Sequence, residues 1–580
     1  MAVALNAGLP AVSNPPKAPL ARNRPGTAKS QKEAIGSHGE RVRGLGCGVV
    51  VGAALLTRRG SKLQMRAVPA VKERAEVQSQ RRADQEAFAR GYESASSEEC
   101  FTLHSEDLPK GLRGTYYRNG PAKLKVGDDQ IKHPFDGDGM VAAVTFDGQG
   151  NVHFRNRFVR TAGFVEELEA QKMLYRGQFS PKSGGWLANA FDMRVKNLAN
   201  TNVMHWAGRL FALWEGGKPM ELDPLSVATL GQGSFDGALK SADNFTAHPR
   251  FDARTGRQVG FQYKPDIPNA VTNVSFWEFE PSDFSTARRV DAQIPDFGFY
   301  HDFLVTENYY ILSKAPVSIS PQGALEGMLG FRSMGESIRF DASKPTQLAL
   351  VPRDGSEPRF IDLDTHFCFH FGNGYEEDGK LIIDMAFAAS LELGDASSGD
   401  RPVWESFDWE KMPPNSLCRY EVDLSTGAWQ KEVLLNRHVD FPTINPFCSS
   451  KLHRYIYCTR AALDDKAGPL QGLTKVDVQD TTKQDMWLPE PHEFLGEAVF
   501  CPDAEAQAED DGYLVGILLN GRDLSCEIVV FDAHSIQKGP VCRVPLPSFI
   551  PHALHGCFVP NLVPTYEQIQ EAWNKRPTSL

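Results

Sequence analysis

From about Cys100 to the C-terminus, apolar and polar residues alternate in short runs that are rich in β-branched and aromatic side chains. Alternation with a period of two is typical of β-strands that bury one face, and the Gly, Asp and Asn residues between the runs mark turns. Three hairpins with glycine-containing turns are predicted at residues 140–159, 376–387 and 418–435. Long stretches of helical periodicity are scarce, so the pattern predicts an all-β fold.

Residues 100–580 contain no internal linker and no break in composition, which indicates one closed body. A β-propeller satisfies its sheet edges by closing its blades around an axis. Seven blades would average about 66 residues, against about 40–45 in compact propeller repeats, which leaves long loops. Two segments without strand alternation, Gly163–Ser180 and Pro321–Phe340, are predicted to be loop or helical insertions that form a cap over one face.

The composition of the 580-residue chain, with 41% hydrophobic and 23% charged residues, excludes a disordered or fibrous protein. Its 62 basic and 73 acidic residues give a net charge of −11, which argues against a nucleic-acid binder because phosphate contacts need a cationic surface. The ten cysteines form no C-x-x-C pair. They favour buried thiols in a reducing compartment over a disulfide framework or a thiolate zinc site.

The N-terminal segment, residues 1–70, carries 11 Lys and Arg but only two acids, Glu33 and Glu40. A basic, acid-poor segment rich in Ala, Ser and Pro is typical of an organelle transit peptide, and a disordered tail without an address is the alternative. Its longest apolar run, residues 44–56, has 13 residues and is too short for a membrane span, which needs roughly 20. Residues 71–99 are predicted to be a linker or N-terminal extension.

Four of the fifteen histidines, His248, His301, His370 and His555, stand in distinctive strand-like settings. The 53, 69 and 185 residues that separate them exclude a local metal motif such as H-E-x-x-H. The inner strands of a propeller meet at its axis, so such distant histidines are able to share one metal ion. Taken singly, a histidine in an apolar strand is more often a core or surface side chain than a metal ligand.

The strings around these histidines resemble those of the carotenoid cleavage oxygenase family, which also contains stilbene-cleaving oxygenases and the vertebrate retinoid isomerohydrolase. The resemblance covers about Cys100 to Pro560. Its strings, in chain order, are GTYYRNGP (114–121), HPFDGDGM (133–140), NTNV (200–203), LWEGG (213–217), TAHPRFD (246–252), HDFLVTENYY (301–310), FHFGNGYEE (369–377), FPTINP (441–446) and LHGCFVP (554–560). Residues 157–164, 196–203 and 328–337 are most similar to the cyanobacterial apocarotenoid oxygenases.

The resemblance implies a seven-bladed β-propeller domain over residues 100–580, with a dome of loops and helices over the iron-bearing face. It also implies that His248, His301, His370 and His555 bind Fe(II). Four neutral imidazoles suit a divalent first-row metal and leave coordination positions for dioxygen. The motif HPFDGDGM is expected to be a structural turn, because Val141 stands where an EF-hand loop would need glycine.

Three acidic residues match the family's carboxylates that orient the ligating histidines: Glu215, Glu497 and Asp440. For Glu215 and Glu497 an exposed strand-end side chain is the alternative. The family has Glu at the position of Asp440, so the side chain here is one methylene shorter. A bond from Asp440 to a histidine is therefore expected to need a closer backbone or a bridging water.

Three further residues match positions near the iron and the polyene in the family: Trp214, Phe369 and Thr201. An aromatic-lined tunnel suits a long conjugated chain, which offers only apolar and polarizable surface for recognition. Ordinary core packing is the alternative for Trp214 and Phe369, and a strand-end hydroxyl for Thr201.

The function that follows is a non-haem Fe(II) dioxygenase that uses O₂ to cleave a double bond of a carotenoid or apocarotenoid into aldehyde or ketone products. A polyene isomerase or isomerohydrolase, a stilbene-type dioxygenase and a binding protein without catalysis are the alternatives. The motifs do not encode which double bond is cut, the length or cis/trans geometry of the substrate, or the oligomeric state.

The family also implies peripheral contact with a membrane that holds the substrate. The apolar string at residues 328–331 is a candidate for this contact, although so short a stretch favours core packing. The transit-like N-terminus predicts a plastid location, with the cytoplasm as the alternative if that segment is not an address.

Overall fold

A computed structural model describes residues 82–266, 268–394 and 401–575 of the chain. The predicted transit segment, residues 1–70, and the plastid address inferred from it lie outside the described residues. The nine cysteines within the described residues are free thiols. None of the helices in this part of the chain is long and apolar enough to cross a membrane.

The first half of the described chain is mainly strands. Their bounds are β1 (Glu99–His104), β2 (Arg113–Lys123), β3 (Lys125–Val126), β4 (Asp129–Gln130), β5 (Asp138–Asp147), β6 (Asn151–Phe158), β7 (Asn202–Trp206), β8 (Arg209–Leu213), β9 (Met220–Leu222), β10 (Thr229–Gln232), β11 (Arg250–Asp252), β12 (Arg257–Asp266), β13 (Val271–Phe279), β14 (Thr286–Pro295), β15 (Leu304–Val305), β16 (Tyr309–Lys314) and β17 (Val317–Ile319).

The second half continues in the same way. Its strands are β18 (Ile338–Phe340), β19 (Thr346–Pro352), β20 (Arg359–Leu363), β21 (Phe367–Glu377), β22 (Lys380–Ala388), β23 (Ser416–Asp423), β24 (Trp429–Leu435), β25 (Val439–Thr443), β26 (Tyr455–Ala461), β27 (Leu470–Asp477), β28 (Gln484–Trp487), β29 (Glu493–Leu495), β30 (Val499–Pro502), β31 (Gly512–Asn520), β32 (Ser525–Asp532), β33 (Cys542–Leu546) and β34 (Gly556–Pro560).

The helices of the described residues are short. They are α1 (Gln85–Arg90), α2 (Ala162–Ala170), α3 (Gly185–Asn189), α4 (Pro321–Met328), α5 (Val403–Ser406) and α6 (Tyr566–Asn574).

Seven antiparallel sheets of four or five strands form the blades of a propeller, which confirms the predicted fold. Each of six blades is built from strands that follow one another along the chain, and the first of these strands is the innermost of its blade. The remaining blade has the order β1-β6-β5-β2-β34, so it pairs strands from both ends of the chain. Thr115 of β2 lies opposite Val559 of β34, and this pairing closes the ring.

Apolar side chains between neighbouring blades form the core. Phe276 of the blade β11–β14 stacks on Tyr310 of the next blade, with ring centroids 4.4 Å apart and planes 6° from parallel. Central strands such as β5 are buried on both faces and carry a nearly continuous apolar run, whereas the outer strand β14 is mostly exposed. Alternation of buried and exposed residues with a period of two is clear on the outer strand β33.

The two segments predicted as insertions contain helices α2 and α4. A buried charge cluster fixes α2 to the propeller: Lys196 Nζ lies 2.8 Å from Asp138 Oδ2 and 2.6 Å from Glu167 Oε2. Glu167 Oε1 in turn accepts the N–H groups of Leu174 and Tyr175 at 2.8 and 2.9 Å. Charged groups bury only when they are paired in this way, so the loop after α2 is tethered in one conformation.

Candidate metal centre

The four predicted ligands come from four different blades. His248, His301 and His555 lie just before the inner strands β11, β15 and β34, and His370 lies within β21. Because all four occupy the same end of an inner strand, the propeller axis brings them together although they are far apart in sequence. His248, His370 and His555 are buried and His301 is half-buried.

One ring nitrogen from each histidine converges on a common point. The four nitrogens all lie within 4.8 Å of one another. His248 Nε2 and His301 Nε2 are 2.9 Å apart. The ring of His248 is 4.5 Å from that of His555 and 5.2 Å from that of His370, measured between centroids.

Three of these imidazoles bond to a carboxylate through the other ring nitrogen. His301 Nδ1 lies 2.7 Å from Glu215, His370 Nδ1 2.7 Å from Asp440 and His555 Nδ1 2.9 Å from Glu497. A neutral imidazole that donates Nδ1–H to a carboxylate leaves its Nε2 lone pair free, so these bonds fix both tautomer and orientation. The structure thus joins all three acidic residues to predicted ligands.

Asp440 bonds to its histidine directly, through the closer backbone that was one of the two expected routes. The next residue, Phe441, has a left-handed backbone with φ of 52°, and the pairing of β25 with β26 is irregular between Asp440 and Thr443. Asp440 Oδ1 also accepts the Phe441 N–H at 2.8 Å. The Phe441 ring stacks on His370 with centroids 5.1 Å apart. The direct bond of Asp440 to His370 thus coincides with a local bulge in the strand.

The electrostatics of the centre favour uncharged imidazoles at His248 and His555. Burial, and then the neighbouring histidines, lower the pKa of His248 well below its ordinary value. Burial also lowers the pKa of His555, against the opposing effect of Glu497. At His370 burial opposes protonation, but Asp440 outweighs it and raises the pKa. The carboxylates Asp440 and Glu497 have lowered pKa values, because their histidines outweigh the effect of burial.

The donor set fits a divalent metal ion. His370 Nε2 is buried and has no hydrogen-bond partner among the described residues. His248 Nε2 and His301 Nε2 lie 2.9 Å apart, and two ring nitrogens this close either share a proton or both direct lone pairs at a cation. Imidazole nitrogen is a ligand of choice for Fe, Zn, Cu and Ni, and the three bonded carboxylates supply the outer support that such sites have.

A cavity of about 230 Å³ adjoins the four histidines. Trp214, Phe369 and Thr201, the three predicted substrate-binding residues, all line it. Phe369 stands edge-on to His301 with centroids 5.5 Å apart, and the Thr201 carbonyl accepts the His555 N–H at 3.2 Å. The structure therefore brings these residues to the metal centre rather than to the core alone.

Sequence reasoning missed several residues of the cavity wall. One is polar, Asn200, and the others are apolar: Phe135, Phe179, Phe299, Leu393, Phe441, Leu470 and Leu554. Phe441 and Leu554 belong to recognised strings, so their neighbours Asp440 and His555 were a usable signal. Phe179 and Leu393 had none, because an apolar residue in a loop carries no mark of the surface it will face.

Two other histidines near the ligands in sequence are outside the cluster. His366 packs between Tyr420 and Phe387. His552 packs against the rings of Phe88, Tyr92 and Phe494, with its Nε2 3.1 Å from the Phe88 carbonyl oxygen. Both are structural side chains.

The family model described as retinal pigment epithelial membrane protein (RPE65) matches residues 94–560. The chain therefore belongs to the RPE65 family of carotenoid cleavage oxygenases. It is 38% identical over 487 residues to the apocarotenoid-15,15'-oxygenase of Synechocystis, a match that covers 82% of this chain and 97% of that one. Isoeugenol monooxygenase of Pseudomonas nitroreducens is 28% identical over 78% of this chain and 93% of its own.

Solved structures of the family have the same fold. A cobalt-substituted Synechocystis apocarotenoid oxygenase matches with a TM-score of 0.78 and 36% identity, over 83% of this chain and all of that one. That relative was solved in a cobalt-substituted form.

Proposed function

We propose that this protein is a non-haem Fe(II) dioxygenase that cleaves one carbon–carbon double bond of a carotenoid or apocarotenoid to give aldehyde or ketone products. The observation that carries the proposal is a carboxylate-supported cluster of four histidines at the wall of an aromatic cavity. The similarity to an apocarotenoid oxygenase over 82% of the chain supports this substrate class.

His248, His301, His370 and His555 would hold the iron, with Glu215, Asp440 and Glu497 fixing the orientation of three of them. The chemistry that ferrous iron supplies when bound is the activation of dioxygen. Both oxygen atoms enter the two carbonyl products, so the reaction balances without a further reductant or oxidant.

The chain contributes to selectivity by positioning the substrate. Trp214 and Phe369 present aromatic surface beside the ligands, and a polyene that packs on them is held with one double bond near the metal centre. The same apolar wall keeps bulk water from the reacting carbons, which favours oxygenation over addition of water.

Labelled oxygen tests the proposal directly. The iron-loaded chain is incubated with β-carotene and with an apocarotenal under ¹⁸O₂, and the products are identified by mass. We expect ¹⁸O in both carbonyl fragments and no product from His301→Ala, which lacks one ligand. Label that comes only from water would indicate an isomerohydrolase. Activity on a stilbene or a phenylpropene but on neither polyene would move the assignment to the substrate class named for isoeugenol monooxygenase.

We also propose that the protein binds a membrane surface through two helical insertions, residues 185–191 with α3 and residues 321–340 with α4. Trp186, Leu187, Phe191 and Phe331 are each about half or more exposed. Trp186 stacks on Phe331 across the insertions, with centroids 5.2 Å apart, and the Phe191 N–H donates to the Met328 carbonyl at 2.7 Å. Exposed large apolar side chains clustered in this way are typical of a lipid contact. The expectation that residues 328–331 pack in the core was wrong, since Met328 and Phe331 are exposed.

The proposed location is the plastid, and it rests on the basic, acid-poor composition of residues 1–70. A fluorescent protein fused behind residues 1–70 should enter plastids, and a diffuse cytoplasmic signal would favour the alternative.

A further inference from the structure

The motif HPFDGDGM, residues 133–140, supplies neither a histidine nor a carboxylate to the metal centre. Its first residue, His133, is buried and caps a 3-10 turn over Pro134–Asp136. His133 Nδ1 accepts the Phe135 N–H at 3.2 Å, and Nε2 lies 2.9 Å from the Leu393 carbonyl oxygen. A nitrogen that accepts an N–H carries no proton, so Nε2–H must donate to Leu393, and the two contacts fix one neutral tautomer.

The His133 ring packs from behind against the wall of the cavity beside the four histidines. Its centroid lies 4.5 Å from that of Phe179, with the planes 25° apart, and 4.8 Å from that of Phe135, edge-on at 65°. Phe135, Phe179 and Leu393 all line this cavity. One imidazole thus holds three wall residues, two through their rings and one through its backbone.

Asp136 fixes the backbone of the same wall. Its buried carboxylate accepts the N–H groups of Gln178 and Phe179 at 2.8 and 3.0 Å. A β-carbon at Gly177 would overlap Asp136 Oδ2, so only glycine lets the loop approach this closely. Phe179 is therefore held at its backbone by Asp136 and at its ring by His133.

Asn200 connects the turn to the metal centre. Its Nδ2 donates to the carbonyl oxygens of Phe135 and Gly137 at 3.0 and 2.7 Å, and its Oδ1 accepts the Thr201 hydroxyl at 3.0 Å. The Thr201 carbonyl accepts the His555 N–H. Directional hydrogen bonds therefore link the cavity wall to His555. They fix the distance between the wall and this histidine more firmly than apolar packing alone would.

We propose that His133 is a positioning residue for the substrate. By holding Phe135, Phe179 and Leu393 it sets the wall against which the polyene lies, and so selects the double bond that reaches the four histidines. This inference rests on the proposed function. The double bonds of a polyene are chemically alike, so the fit of the chain to the wall has to distinguish them. His133 bonds to no ligand, so its replacement should leave metal binding intact.

Two variants of the full chain separate the contributions of His133. His133→Gln removes the ring but keeps a donor that reaches toward Leu393. His133→Phe keeps a ring against Phe179 but removes both hydrogen bonds. His153→Gln is the matched control, because His153 is also buried and bonded, to Thr102 Oγ1 at 2.9 Å, but belongs to the outer part of the first blade.

Four properties are measured: cobalt affinity, binding of an apocarotenal to the metal-free chain by its visible absorbance, KM and kcat of iron-dependent cleavage, and the ratio of the cleavage products by mass. For His133→Gln we expect apocarotenal binding to weaken about threefold to tenfold through loss of the stacked ring. KM should rise by a similar factor, with kcat changed less than about twofold. Products from neighbouring double bonds should appear, while cobalt affinity stays within about twofold of the wild type.

For His133→Phe we expect a smaller loss of apocarotenal binding, because a ring still packs against Phe179. The change in products should be the same, because the hydrogen bond to Leu393 is lost. Unchanged binding and products in both variants, beside an active wild type, would overturn the inference alone. A wild type that neither binds nor cleaves a polyene would overturn the proposed function and the inference with it. If His133→Gln loses its cooperative melting transition, His133→Phe decides by the same readouts. A uniform fall in kcat and cobalt affinity would instead identify a purely structural residue.

Discussion

Replacement of Asp440, where the chain departs from its family, tests how the carboxylates support the metal centre. Asp440→Ala removes the acceptor of two hydrogen bonds, from His370 Nδ1–H at 2.7 Å and from the Phe441 N–H at 2.8 Å. The side chains of His370 and Asp440 are only 11% and 14% exposed, so water replaces the lost carboxylate poorly. His370 would then keep neither its tautomer nor its orientation.

The magnitude follows from these two bonds. Loss of a group that orients a ligating histidine lowers metal affinity by about 10–100-fold, or about 1.4–2.8 kcal/mol. Each donor left buried without a partner lowers the free energy of unfolding of the metal-free protein by about 1–3 kcal/mol. Asp440→Asn keeps an acceptor oxygen but loses its charge, so its metal affinity should fall by about threefold to tenfold.

Asp440→Glu restores the family residue and should nevertheless weaken the site. The left-handed backbone of Phe441 already brings the shorter carboxylate to His370, and the Phe441 ring stacks on that imidazole 5.1 Å away. An added methylene has to displace this ring or the histidine, and overpacking of this kind costs about 1–3 kcal/mol. If Asp440→Glu bound cobalt more tightly than the wild type, the local bulge would not be adapted to the aspartate.

The assay is competition with a chelator for cobalt, combined with chemical unfolding of the metal-free protein. Asp291→Ala, at an exposed position of β14, is the control and should change neither quantity. Cobalt affinity of Asp440→Ala within twofold of the wild type would refute the orienting role of this carboxylate.

Three further predictions concern the insertions, the cavity wall and the blades. Trp186→Glu together with Phe331→Glu should lower cosedimentation with lipid vesicles about tenfold, whereas Leu230→Glu, also exposed, should not; equal effects would remove the proposed patch. Burial raises the pKa of Asp136 from 3.8 to about 6, so its contribution to stability is greatest below about pH 4 and is lost as the pH rises to 6. The unfolding free energy of Asp136→Asn should therefore rise relative to the wild type by up to about 3 kcal/mol between about pH 4 and pH 7, and a pH-independent difference would contradict the raised pKa. Glu278→Ala breaks a buried ion pair and should lower the free energy of unfolding by about 3–5 kcal/mol with cobalt affinity unchanged, whereas a loss below about 1 kcal/mol would mean that the pair is not buried.

The sequence by itself determined the class of fold and predicted the four histidines that the structure brings together. Alternation with a period of two specifies strands because successive side chains point to opposite faces, and the hairpin turns carry their own glycine signals. His248, His301, His370 and His555 stand in strings specific enough to identify the family, and so do the carboxylates Glu215 and Glu497. The strand alternation, the turn glycines and the family strings are local features, because a few adjacent residues are enough to define each of them.

Only the tertiary structure decided the contacts that join distant segments. The direct bond of Asp440 to His370 depends on the left-handed backbone of Phe441. A phenylalanine in the sequence does not predict that conformation. His133 meets Leu393 across 260 residues, and an apolar residue in a loop is equally compatible with a core, a cavity wall or a lipid contact. For the same reason Phe331 was expected in the core and lies on the surface. Whether a side chain is buried depends on what packs against it. In this fold the packing partners come from distant segments that meet only when the blades close, so the local pattern does not determine them.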